Sequence, residues 1–400
     1  MVPKGWKKRD LHKLITIKHG FAFKSEYFSN DGQYVLLTPG SFNESGGFRN
    51  QGHKTKFYNG PIPNGYLLSK GDLLLAMTEQ AEGLLGSPLF VPEDNKYLHN
   101  QRLGLVEINC TDNICSDFLY LFFNHADSRK QITEQSTGTK VKHTSPDRLC
   151  SVIGLIPPLL EQKKIAQILS TWDKAISVTE NLFANSQQQK KALMQQLLTG
   201  KKRLLDENGV RFSGEWKQEV NLRSIINISK GVQINKNTLS ENGQFPVING
   251  GIAPSGFTSE FNTDENTITI SEGGNSCGYV AFQKKSFWCG GHCYAVRNTA
   301  LHLSFTFHLL KYNELKIMGL RVGSGLPNIQ KKALEAFTVS FPVTSVEQQK
   351  IAAVLSAADA EISTLEKKLA CLRDEKKALM QQLLTGKRRV KVEAEEAVSA

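Results

Sequence analysis

The most reactive side chains of the chain fall in short clusters, each with the residue types of a recognisable chemistry. Cys289, His292 and Cys293 ("CGGHC") have the donor types of a zinc site. A structural zinc needs a second pair of ligands, and Cys277, Cys110 and Cys115 stand at no matching spacing, so these thiols read as buried on strands. "PEDNK" (Pro92–Lys96) has the acid-and-lysine ending of a nuclease active site without the separated first carboxylate, and reads as a turn. "ISEGGNSCG" and "RVGSG" are glycine-rich, yet neither places GxGxxG between a strand and a helix, and no GxxxxGK[ST] phosphate loop occurs. The Asn/Asp-Pro-Pro-aromatic tetrapeptide of amino-methyltransferases is missing, as is any helicase set. With no triad or paired carboxylates, the chain reads as non-catalytic, with no catalytic residue, metal or cofactor of its own.

What remains is recognition chemistry. Lysine and arginine outnumber aspartate and glutamate 49 to 38, a net charge of +11. That excess favours a polyanionic partner, although it also serves solubility. Lysine and arginine neutralise phosphates, while arginine, asparagine and glutamine can pair with purine edges. The loop residues of these types in the first half are Lys24, Arg49, Lys54, Lys56, Gln80, Arg102, Lys140, Lys142 and His143. In the second half they are Lys230, Gln233, Asn235, Lys236, Asn275, Lys284, Lys285, Arg321 and Asn328. As a set they suit double-stranded DNA, without assigning bases. Seven cysteines without framework spacing fit reduced thiols. No run of eighteen apolar residues predicts a membrane helix, and the N-terminus lacks a signal-peptide apolar core. A cytoplasmic protein without a membrane partner is expected.

The elements that must carry these residues are organised by a repeat. "KKALMQQLLTGK" occurs at Lys190–Lys201 and again at Lys376–Lys387. Extended backwards, "EQKKIAQILSTWDKAIS" aligns with "EQQKIAAVLSAADAEIS" at one constant offset (347 − 161 = 376 − 190 = 186), with 25 identities over the 44 positions from Glu161 to Leu204. The segments before the copies differ in length: 161 − 6 = 155 residues from Trp6, against 347 − 216 = 131 from Trp216. The pattern is variable domain, helix, variable domain, helix.

Apolar residues in the second copy step by four and three through Ile351, Leu355, Ala358, Ile362, Leu365, Leu369, Leu372, Leu379 and Leu383, broken once at Lys376. That is a heptad seam for packing against another helix. The first copy supplies Ile165, Leu169, Trp172, Ile176, Leu193 and Leu197, with a weaker middle. Prolines precede the first helix, and Gly200 and Gly386 stand where a helix ends. A rod of 39 residues spans roughly 58 Å at about 1.5 Å per residue. Two such rods are expected to pack antiparallel, holding one variable domain at each end.

Both variable domains read as mixed and strand-rich, with runs such as "YVLLT", "LGLVEI", "NTITIS" and "GYVAF" between Gly, Asn and Pro turns. Each opens on a tryptophan ("GWKKRDLHKLITIKHG", "EWKQEVNLRSIINISKG"). "KYLHNQRLGLVEI" can be laid beside "SFWCGGHCYAVRN". Each then has one helical stretch ("DFLYLFFNHADSRKQI", "LSFTFHLLKYNELKIM") and a basic Gly-containing loop ("STGTKVKHTSPDRL", "RVGSGLPNIQKKAL"). The expectation is an α+β protein in which one domain fold appears twice with different faces. The boundaries are 1–155 and 205–341 for the domains, 156–204 and 342–390 for the helices, and 391–400 for a frayed tail.

The opening tryptophans, the helix starts "PPLLEQKKIAQIL" and "EQQKIAAVL" and the twin helix ends resemble those of the DNA-specificity subunit of type I restriction–modification systems, over roughly Trp6 to Arg389. The resemblance implies two target-recognition domains, each reading one half of a split asymmetric DNA site, and a coiled coil setting the gap. It also implies two methyltransferase subunits docked on the helices and two restriction/translocase subunits added to them. S-adenosylmethionine, ATP and Mg would belong to those partners. A coiled-coil adaptor whose heads grip protein is the competing expectation.

Overall fold

The computed structural model describes residues 2–79, 82–323 and 325–392. Gln80 and the tail beyond residue 392 lie outside the described residues. The chain divides into two compact units, Met1–Val178 with Leu369–Ala400, and Thr179–Lys368. Each contains one strand-rich head and a segment of each of two long helices, Leu159–Leu197 and Ser345–Leu384.

In the first head a four-stranded antiparallel sheet runs in the order Ile15–His19, Leu103–Ile108, Leu73–Ala76, Pro88–Phe90. The order in the second is the same: Ile226–Lys230, Cys293–Thr299, Thr267–Ser271, Val280–Gln283. "ITIKH" alternates buried and exposed residues because only one face of this edge strand meets the core, whereas "LLLA" in the middle is buried throughout. A smaller sheet lies beside it in each head and closes on a parallel pair, Val35 with Tyr97 and Val247 with Trp288. Entry and exit of each head are tied by a short antiparallel pair, Lys7–Arg9 with Gly154–Ile156 and Trp216–Asn221 with Thr338–Pro342. The head is thus closed at its neck before the chain enters the long helix.

The sequence predicts one helical stretch late in each head; the structure breaks both. Ser116–Asn124 ends at His125, which is extended (φ −70°, ψ 142°) and whose Nδ1 accepts from the Asp127 amide to start Ala126–Glu134. Leu303–Tyr312 and Glu314–Met318 break at Asn313. Phe118, Leu119, Leu121, Phe122 and Phe123 are all buried, because their helix packs into the same core as the sheet and the first long helix. Burying such side chains contributes roughly 1.5–3 kcal/mol each.

Candidate nucleic-acid interface

The long helices and the heads meet through matching contacts in both units, except that the Trp6 indole donates to its glutamate while the buried Trp216 indole N–H has no partner among the described residues. In the first, Glu161 accepts from Arg389 Nε at 2.9 Å and from the Trp6 indole at 3.2 Å, and Arg389 lies over the Trp6 ring. In the second, Glu347 accepts from Arg203 Nη2 at 2.7 Å, and Arg203 lies over Trp216. Both glutamates are buried. The neighbouring glutamines are buried as well. Gln162 accepts from the Cys115 amide (3.1 Å) and donates to the Asn113 and Pro157 carbonyls (2.8 Å each). Gln348 accepts from the His302 amide and donates to the Pro342 carbonyl, both at 2.8 Å. The Glu-Gln pair at each helix start is therefore a clip: the glutamate holds the other helix's basic end, the glutamine holds the head.

Lys376, which breaks the seam, ion-pairs with Asp173, and its counterpart Lys190 with Asp359. These contacts run antiparallel within each unit. At the seam ends, Ile165, Leu169 and Leu383 are buried in the first head's core, and Leu197, Ile351 and Leu355 in the second's. Leu369 is buried; Trp172, Ile176, Leu193, Ile362, Leu365 and Leu379 are half-buried. Gly200 and Gly386 end the helices with φ of +71° and +69°. A Cβ at Gly386 would sit 2.3 Å from Pro3.

The two heads match to individual backbone hydrogen bonds. Gly20 donates to Leu103 as Gly231 does to Cys293. Met77 donates to Arg102 as Glu272 does to His292, and Thr144 donates to Met77 as Ile329 does to Glu272. Both basic loops fold back, Thr137 bridging His143 and Val322 bridging Asn328, and both lie against the end of the central sheet. Close approach needs glycine here: a Cβ at Gly20 would lie 2.0 Å from the Asn100 oxygen, and at Gly231 2.3 Å from that of Gly290.

That sheet end gathers some of the sequence-predicted residues and excludes others. In the first head it brings Arg102, Lys142 and His143 together with exposed His19. His143 Nδ1 is 3.2 Å from Thr78 Oγ1, and Lys142 Nζ is 3.9 Å from buried Glu79. Glu79 is occupied by the Leu84 and Leu85 amides at 2.7 and 2.6 Å. Lys140 is exposed in the loop just before them. Arg49 and Lys56 instead line a separate 460 Å³ groove with Gln51 and Lys96. Arg49 is spent on Glu44 (2.8 Å), which holds that carboxyl below its ordinary pKa, and on Asn43 (3.1 Å). Lys56 lies over Phe28; Lys54 ends a short turn; Lys24 pairs loosely with Glu26.

In the second head Lys230 and Asn328 line a 380 Å³ cavity with Asn249, Glu272 and His292. Gln233 does not line it; its side chain lies 2.6 Å from where a Cβ of Gly291, the neighbour of His292, would be. Asn275 and Arg321 are in adjoining loops; Asn235 caps its own turn at Lys236. Lys284 and Lys285 follow Gln283, which pairs with Thr267 at the opposite end of the sheet from the cavity. Sequence reasoning missed Glu272, Asn249 and His292 as cavity residues. A scan for basic and amide groups passes over an acid, and only the loop packing brings Asn249 alongside. The "CGGHC" thiols are buried and His292 faces the cavity; among the described residues no group of three metal-ligand side chains forms.

Two unrelated folds would not share neck, sheet order and loop closure in this way, and the comparisons agree. A profile of the type I restriction modification DNA specificity domain matches residues 3–184 and 214–372, and the chain belongs to that family. A putative type I specificity subunit of Mycoplasma pneumoniae is 34% identical over 169 residues, 41% of this chain and 44% of the relative. The chain thus spans less than half the length of that relative. The putative type I restriction enzyme MjaX specificity subunit of Methanocaldococcus jannaschii is 26% identical over 353 residues, 82% of this chain and 80% of the relative. A crystal structure of a type I restriction–modification S subunit from M. genitalium has the same fold, with a TM-score of 0.67 at 19% identity over 96% of both chains. Among the described residues no helix is long and apolar enough to cross a membrane.

Proposed function

We propose that the chain is the specificity subunit of a type I restriction–modification complex: a non-catalytic protein that recognises a bipartite asymmetric DNA site. Residues 1–155 and 205–341 act as the two target-recognition domains, and 156–204 and 342–390 as spacer and docking helices. Partner methyltransferase subunits, two per chain, and two restriction subunits bring the chemistry, with S-adenosylmethionine, ATP and Mg as their cofactors. The observation that carries this reading is the contrast between helix contacts repeated at an offset of 186 residues and heads that keep their central sheet order but change their length and side chains. A constant frame suits one partner type met twice; variable faces suit two different half-sites. Single-molecule methylation sequencing of the host genome, with and without the gene, tests it. A gapped N6-methyladenine motif should vanish on deletion, and an unchanged methylome would refute the reading. Phosphate neutralisation predicts a steep loss of DNA affinity of the assembled complex with salt.

A further inference from the structure

We infer that the second head reads a C·G base pair through Glu272 and Lys230, an inference that rests on the DNA-recognition reading above. Glu272 stands in the wall of the 380 Å³ cavity among Lys230, Asn249, His292 and Asn328, with its side chain 13% exposed. One carboxylate oxygen is engaged: Oε1 accepts from Lys230 Nζ at 2.6 Å and from the Tyr294 hydroxyl at 3.3 Å. The other, Oε2, has His292 Nδ1 at 3.7 Å, beyond hydrogen-bonding distance, as its partner among the described residues. The cleft is open above it. Leu326 on its rim is 85% exposed, and a Cβ at Gly274 would touch nothing within 4 Å.

A carboxylate in a cleft of a strongly basic protein repels phosphates, so it adds nothing to affinity for the backbone. Its use there is to accept a hydrogen bond from an exocyclic amino group. In the major groove a C·G pair sets the cytosine N4 donor beside the guanine O6 and N7 acceptors. An acceptor and an ammonium donor side by side, as Oε2 and Lys230 are, complement that pattern. Guanine offers the ammonium two acceptors where adenine offers one, which favours C·G over A·T. The matched positions of the first head are Met77 and His19, so the carboxylate–lysine pair is not repeated at these positions. Glu79, the acid next along, is turned inward onto backbone amides.

The test uses the full chain assembled with its methyltransferase partners, assayed on the native target and on duplexes changed one base pair at a time. Glu272→Gln and Lys230→Met should each relax discrimination at one and the same C·G pair by about ten- to a hundredfold, leaving the other half-site and the gap unchanged. Glu272→Gln, whose amide both donates and accepts, should admit A·T there. The inference is overturned if both folded variants keep discrimination at every pair, if both lose activity uniformly on all duplexes, or if relaxation falls on a pair other than C·G. Should one variant fail to fold, judged by its thermal transition, the other decides. If the wild-type complex shows no sequence preference at all, the underlying DNA-recognition reading fails, a different result from any of these.

Discussion

At the strand end where a glycine turns the chain, the first head places His19, Met77 and His143, and the second places Lys230, Glu272 and Asn328. The backbone bonds around these positions are the same in both. Where each head meets the helices, by contrast, the residues hardly change: Glu161 and Glu347, Gln162 and Gln348, Arg389 and Arg203. The difference teaches that the fold separates the two tasks physically. Buried polar groups at the neck must each find a partner, so substitution there is costly. At the sheet end His19, His143, Lys230 and Asn328 are exposed, so exchange there leaves the scaffold intact; Met77, by contrast, is buried in the first head's core.

The comparison can be broken most severely in the helices. Inserting four residues before Lys190 should abolish methylation of the original motif and create one with the same half-sites and a different gap, as read by methylation sequencing. A changed half-site would refute the separation of frame from reader.

Next in size is the clip. Glu347→Ala leaves Arg203, 19% exposed, without its carboxylate, and should lower stability by roughly 3–5 kcal/mol in denaturant unfolding. Glu161→Ala should be milder, because Arg389 is 41% exposed and water can replace the partner. Equal losses would show that burial does not set the scale.

Both units carry a buried histidine held neutral. Burial pushes His99 and His308 down to about 4. Each must charge on unfolding once pH falls below the ordinary 6.5. Stability contributed by the neutral forms is therefore present above about pH 6.5 and lost progressively towards pH 4, by roughly 3 kcal/mol per histidine. Thermal melts across that window check it. His99→Gln and His308→Gln should each flatten the pH dependence.

Smaller still, Gln348→Ala leaves the His302 amide and the Pro342 carbonyl unpaired, and Gln162→Ala three backbone groups. Losses of roughly 1–3 kcal/mol are expected, with Gln162 the larger. The reverse order would show that the two necks are not equivalent.

The repeat, its offset, the seam positions and the glycines that end the helices were legible because they are local and periodic. The likeness of the heads was legible from motif order, once the opening tryptophans and the basic loops had been aligned. The breaks at His125 and Asn313 were not, because neither stretch carries a glycine or proline to mark the turn and only tertiary packing turns the chain. Lys376 looked like a flaw in its heptad; its meaning depends on Asp173, 203 residues away in sequence. Arg49 and Glu272 show the same limit from opposite sides. A basic residue proved to be occupied by its neighbours, and an acid proved to line the cavity.

The sequence by itself determined which segments are constant and which vary, since repetition and periodicity survive without coordinates. Which side chains are free to meet a partner was decided only by the tertiary structure. That freedom depends on what lies within hydrogen-bonding distance, and chain order does not encode distance.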